Sequence, residues 1–193
     1  MRRRLPVPLP LETALVVIDV QKAIDHSSWG ERNNPDAEQN IAALLAGWRS
    51  AHRPIYHIRH DSTEPDSHYR PGQPGNDFKP EAQPLVTETI LVKTTNSAFI
   101  GTGLEAMLNA ANLRTLVVTG VITNNSVEAT VRMAGNLGFE TYLVGDACFT
   151  FGCRDWKGRW RTAEEVHSMS LANLDGEYCS VVGTSQVLEA VRA

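Results

Sequence analysis

Six short apolar runs constrain this chain more than any other feature. They fall at 14–18, 55–58, 89–92, 115–119, 141–144 and 178–182, and Val, Ile and Leu dominate them. Continuous apolar character, rather than alternation, is what a strand covered on both faces requires. Helical patterns lie between most of the runs. Ile41, Leu44, Leu45 and Trp48 recur at i, i+3, i+4 and i+7, one face of a helix. Thr102 with Glu105 reads as a capping box. Asn125 with Glu128 reads as a second, with Val127, Val131 and Ala134 behind it and Gly138 as the stop. Thr162 with Glu165 opens a further helix, and Ser185 caps a last one. Strands alternating with helices predict an α/β fold of three layers, a mostly parallel sheet with helices on both faces. At 193 residues the chain suits one domain over 1–193, with 1–12 as an N-terminal arm.

Charge and cysteine content narrow the partners. A net charge of −4 gives no electrostatic reason to expect nucleic acid. Arg2, Arg3 and Arg4 precede a stretch broken by Pro6, Pro8 and Pro10, which cannot form a signal-peptide core. No apolar run reaches the length of a membrane span, so no membrane partner is expected. Cys148, Cys153 and Cys179 are odd in number and lack a Cys-x-x-Cys pair, against a disulfide framework or a structural zinc site. A reducing cytoplasm is the expected setting.

Two long segments, 59–88 with five prolines and 145–161 with Phe149, Phe151, Trp156 and Trp160, read as loops. Loops this long are usually functional or interface segments. Both follow strands, so both start at the carboxyl edge, where open α/β sheets bind ligands.

Three positions carry chemistry. Asp19 closes the first run and Lys93 the third, which puts opposite charges on one rim. Such a pair can share a desolvated pocket and adjust each other's pKa. Ser126 follows the fourth run at the start of a helix, where free backbone N–H groups and the helix dipole favour an oxyanion. Serine is equally common as a plain helix opener.

The chain resembles the isochorismatase-like hydrolase superfamily, also called cysteine hydrolases. The residues that carry the resemblance are Val16-Val17-Ile18-Asp19-Val20-Gln21, Lys93 followed by Ser97-Ala98-Phe99 and Thr102-Gly103-Leu104, the stretch 120–130, and Asp146-Ala147. The resemblance implies a six-stranded parallel sheet in the order 3-2-1-4-5-6, with Asp19 and Ser126 at its switch point. It implies an Asp–Lys–Cys triad for the amidohydrolase members, with Asp19 as general base and Lys93 as charge partner. It also implies a cis peptide at Val121–Ile122 that aims N–H groups of Ile122 and Ser126 at an oxyanion. Homo-oligomers, dimers or tetramers, are the implied assembly.

Ser126 stands where the amidohydrolases carry cysteine. A hydroxyl does not ionise as a thiol does and needs a matched base during attack. Asp19 can serve if burial raises its pKa. True isochorismatases in the superfamily also lack the cysteine. Three possibilities stay open: a serine amidase, a non-covalent hydrolase of the vinyl-ether type, or a catalytically silent small-molecule binding protein.

No metal and no cofactor are expected. His57, His60, Asp61 and His68 cluster in sequence, yet the Asp-x-His spacing of the metal-binding nicotinamidases is absent. His57 reads as a core histidine and His167 as structural. The expected substrate-binding residues of the small-molecule pocket are Gln21, Trp29, His60, Phe99 and Asn125, with Trp156 and Trp160 as a lid or a subunit contact.

Overall fold

The computed structural model describes residues 4–193, so Arg2 and Arg3 of the basic cluster lie outside the described residues. The strands are β1 (Thr13–Ile18), β2 (Ile55–His60), β3 (Thr89–Lys93), β4 (Thr115–Val121), β5 (Glu140–Phe149), β6 (Cys153–Arg154), β7 (Trp160–Arg161) and β8 (Ser180–Val182). The helices are α1 (Ala37–Ser50), α2 (Leu104–Ala110), α3 (Glu128–Asn136), α4 (Ala163–Leu174) and α5 (Thr184–Arg192). Six strands form one parallel sheet in the order β3-β2-β1-β4-β5-β8. The expected 3-2-1-4-5-6 order therefore holds, with β8 as the sixth strand of the sheet.

The period-two geometry of each strand splits its apolar residues between two cores. Val16, Ile18, Ile58 and Val118 face one cluster with Leu104 and Leu108 of α2 and Val131 of α3. Leu15, Val17 and Val117 face the other, with Ile41, Leu44, Leu45 and Trp48 of α1 and Val187 of α5. The arm joins this second cluster through Leu9, and Arg53 holds it by donating to Leu9 O and Pro10 O.

Three expectations are corrected. At the edge strand β3, Ile90 and Val92 are exposed, so the third apolar run is covered on one face only. The sixth run becomes strand only from Ser180, because Cys179 still belongs to the turn that bridges to Asp175. The 145–161 segment is not a loop: β5 continues to Phe149 past a register shift, and β6 pairs with β7 as a hairpin. The shift lets Asp146 leave the ladder, and its Oδ1 accepts from Thr184 N and Oγ1 at the head of α5.

Helix starts differ as well. The Thr162–Glu165 box forms as expected. Gly103, not Thr102, is the N-cap of α2, and the Thr102 hydroxyl donates to Ala98 O while accepting from Leu104 N. Gly183, not Ser185, precedes α5. Asn125 caps nothing, because Thr123–Val127 forms a π-helical turn that runs into α3. Glu128 then spends its carboxylate on Arg132 and Ser170 rather than on a cap.

Candidate active site

Chain crossings at the switch point bring the three chemistry-bearing residues together. β1 runs between β2 and β4, with Ile18 opposite both Ile58 and Gly120. A Cβ at Gly120 would fall 2.2 Å from Ile18 O, so only glycine lets β4 pass this close. Asp19 then leaves the strand at φ 53°, in the left-handed region that aspartate tolerates better than most residues. Tyr69 OH approaches Asp19 O at 3.4 Å from the proline-rich segment.

Lys93 ends β3 opposite His60 and is 1% exposed. Its ammonium donates to Asp19 Oδ2 at 2.6 Å, to Thr95 O at 3.0 Å and to Ser126 Oγ at 3.2 Å, and His60 Nδ1 lies at 3.4 Å. Three oxygen acceptors thus match three N–H groups. Asp19 is 4% and Ser126 7% exposed, so water screens this cluster weakly.

Burial dominates the ionisation of Asp19 and lifts its pKa from 3.8 to about 6, against the opposing pull of Lys93. The Ser126 hydroxyl is close enough to lower that value slightly, yet it is not in hydrogen-bond geometry with Oδ1, which has no partner. Burial, followed by Lys93, depresses His60 to about 4, so its imidazole is neutral at pH 7.

Ser126 is held from below by its own helix. Thr130 donates to Ser126 O at 2.7 Å and accepts from Ala98 N at 3.0 Å, which ties the lysine loop to the serine turn. The Ser97-Ala98-Phe99 motif works here as a clasp. The peptide bond Val121–Ile122 is cis and immediately precedes the turn.

The remaining expected pocket residues divide. Gln21 is fully buried, and its amide is taken up by the backbone: Nε2 donates to His60 O and Asn76 O, and Oε1 accepts from His60 N. It positions His60 rather than facing a ligand. Trp29 donates to Ala23 O and stacks on Phe151, in the apolar cluster that includes Val121 and Ile122. Asn125 is exposed at the turn. The Phe99 ring stacks on Phe139, which precedes β5 at the amino edge of the sheet, away from the carboxyl edge that carries Asp19, Lys93 and Ser126. Trp156 lines a groove of about 920 Å³ with Asn124, Glu128 and Met169, and none of Asp19, Lys93 and Ser126 lines it. Cys148 and Cys179 are buried, and burial pushes both thiols up to about 12, so neither is a ready nucleophile.

Sequence reasoning missed Tyr69, Thr95 and Thr130. Thr130 was accessible in principle, since it lies four residues after Ser126 and serine or threonine at that spacing bonds back to the carbonyl. Tyr69 and Thr95 sit in irregular segments whose path no periodicity foretells.

A doubly wound α/β protein with a buried carboxylate, ammonium and hydroxyl joined at its topological switch point is the class that fold and site define. Within that class the chain belongs to the isochorismatase family of hydrolases, and residues 13–186 match its isochorismatase domain. It is similar to the isochorismatase-family protein YrdC of Bacillus subtilis, 43% identical over 91% of this chain and 94% of that one. It is also similar to a streptothricin hydrolase of Streptomyces noursei, 33% identical over 72% of this chain and 50% of that protein. An isochorismatase-family structure from Chromobacterium violaceum superposes with a TM-score of 0.93 at 59% identity, covering 97% of this chain and 98% of that one.

Among the described residues, no helix is long and apolar enough to cross a membrane, and no three His, Cys, Asp or Glu side chains are grouped to hold a metal ion.

Proposed function

We propose that this chain hydrolyses a small-molecule amide or a related C–N or C–O bond, with Ser126 as nucleophile, Asp19 as base and Lys93 as charge partner. The observation that carries this reading is the unpartnered Asp19 Oδ1, buried beside a hydroxyl that Lys93 already contacts. Ser126 Oγ attacks the carbonyl carbon and its proton passes to Asp19. Lys93 keeps the carboxylate oriented and offsets the negative charge that develops nearby. Asp19 returns the proton to the leaving nitrogen or oxygen as the C–N or C–O bond breaks. Water then attacks the acyl–serine ester and loses a proton to Asp19, which returns it to Ser126 Oγ as the ester C–O bond breaks and the carboxylic acid leaves. N–H groups of Ile122 and Ser126 are the oxyanion donors in this reading, and His60 and Trp29 border the substrate. The similarity to a streptothricin hydrolase supports hydrolysis as the reaction. The buried, unpaired thiols suit a cytoplasmic setting, and a homo-oligomer, dimer or tetramer, is part of the same proposal.

One observation favours a second reading. A carboxyl near 6 is partly protonated close to neutrality and can act as an acid. Asp19 would then protonate a vinyl ether while Ser126 orients water, with no covalent intermediate.

A panel of amide, carbamoyl and enol-ether substrates, run on wild type and Ser126→Ala, separates the two. The first reading predicts an acyl adduct at Ser126 by intact mass and loss of amide turnover by about 10⁶-fold in Ser126→Ala. Enol-ether turnover that survives Ser126→Ala, with no adduct, would replace it by the second.

A further inference from the structure

The turn that carries Ser126 is fastened at several points: Thr130 of the helix that follows reaches Ser126 O, and Thr150 donates to Asn124 Oδ1. On the far side stands α4. His167 and Ser170 lie three residues apart on α4, hence on one face. Both reach Thr123, the first residue of the turn. Thr123 Oγ1 and His167 Nδ1 are 2.9 Å apart, and Ser170 Oγ lies 3.4 Å from Thr123 O while also reaching Glu128 Oε2. Thr123 is fully buried, His167 is 5% and Ser170 3% exposed, so water offers no ready substitute for these bonds.

His167 is itself anchored. Asn34 Nδ2 approaches its Nε2 at 3.4 Å and donates to Gly145 O and Cys148 O at 3.1 and 2.6 Å, the carbonyls flanking the β5 register shift. The imidazole is thus wedged between the serine turn and the irregular part of β5. Burial lowers its pKa, with Glu164 opposing, so it is neutral at pH 7 and brings no charge to Ser126. Whatever it does for the site, it does through position.

We propose that His167 is a positioning residue that fixes Thr123 and thereby sets Ser126 Oγ against the Lys93 ammonium. The inference rests on the reading of Ser126 as the reacting hydroxyl. Its physical basis is leverage. The Ser126–Lys93 contact is already 3.2 Å, and a further few tenths of an ångström end it as a hydrogen bond. Thr130 holds the downstream end of the turn at Ser126 O, Glu128 N–H reaches Thr123 O and Asn125 O, Thr150 holds Asn124, and the Thr123 hydroxyl is the point at which α4 sets the upstream end. Small displacements of a nucleophile cost rate far out of proportion to their size.

A thiol placed at position 126 reports that geometry without any substrate. In a Cys153→Ser background the exposed thiol is gone, and Cys148 and Cys179 are silenced by burial. Ser126→Cys then supplies one reactive thiol, and its apparent pKa is read from iodoacetamide alkylation against pH by intact mass. Adding His167→Leu should raise that pKa by about one unit and slow alkylation at pH 7 by about ten-fold, because contact with Lys93 weakens. His167→Asn, which keeps a polar atom near the Nδ1 position, should restore most of the rate. Thr123→Val breaks the same bond from the other partner at nearly constant volume and should reproduce the His167→Leu shift even if that variant folds poorly. Thiol pKa values unchanged in both His167→Leu and Thr123→Val, with only a lower Tm, would overturn the proposal and leave His167 as packing. The nucleophile reading is checked separately by the acyl adduct on wild type. A thiol shift without that adduct upholds the positioning role and removes the covalent mechanism.

Discussion

Asp19 and Glu38 are two buried carboxylates that each meet a lysine, and their surroundings drive them in opposite directions. Both are buried, at 4% and 7% exposed. Glu38 accepts from Arg32 through both oxygens and from Lys79 at 2.9 Å. Burial alone would raise its pKa, but those bonds overcome it and bring Glu38 to about 2. Asp19 has a single cation for two oxygens, and one oxygen has no partner, so burial wins and holds it at about 6. A carboxylate with both oxygens engaged by cations is a strut between α1 and the loops around it. A carboxylate left short of donors is poised to exchange a proton near neutral pH.

Linkage gives the contrast opposite signs. The folded pKa of Glu38 is depressed, so its contribution to stability is full above 4.5 and is lost as pH falls from there through about 2. The folded pKa of Asp19 is raised, so its contribution is full below 3.8 and is lost as pH rises from there through about 6.

Substitution at the two carboxylates should give the widest separation. Asp19→Asn should lower kcat/KM by about 10³-fold or more, while Glu38→Gln stays within about two-fold, both measured on whichever substrate of the panel turns over. Equal losses would break the distinction between strut and proton carrier. Lys93→Met comes next, because it leaves Asp19 buried without a cation. Asp19 escapes part of the penalty by protonating, so the cost in a urea melt at pH 7 should be about 3 kcal/mol, with the Asp19 titration moving above 6. Glu38→Gln should cost about 2 kcal/mol at pH 7, and its gap from wild type should narrow as pH drops below about 4.5. A gap that widens in acid would reverse the assigned sign. The smallest effect is expected far from both carboxylates: Thr162→Ala removes the one side-chain capping box that forms as the sequence reads, at about 1 kcal/mol in the same melt.

These two regions also differ in how far the sequence announces them. Asp19 and Lys93 stand out because each is a charge that ends an apolar run, and the strand pairing then carries both to one rim. Nothing comparable marks Glu38, whose partners Arg32 and Lys79 come from irregular segments on either side of α1 and β2. Asn125 was misread for a related reason. Its spacing to Glu128 fits a capping box, but spacing does not say whether a turn closes with the α or the wider π geometry, and tertiary bonds from Arg132 and Ser170 claimed the glutamate. The Gly145-Asp146-Ala147 stretch looks like the end of a strand because its residues are small and polar. It is a shift inside β5, which continues to Phe149. Phe99 belongs to the right motif and faces the wrong way, since a motif fixes backbone path before it fixes ring direction.

The most direct measurement is a carbon-detected NMR titration of the side-chain carboxyl groups in wild type and Asp19→Asn, which requires no substrate. The account predicts one carboxyl titrating near 6, absent from the variant, well separated from a Glu38 signal that does not move above pH 3. If every carboxyl in the wild-type protein titrates below about 4.5, Asp19 is an ordinary ion-paired carboxylate and cannot be the proton carrier of this site.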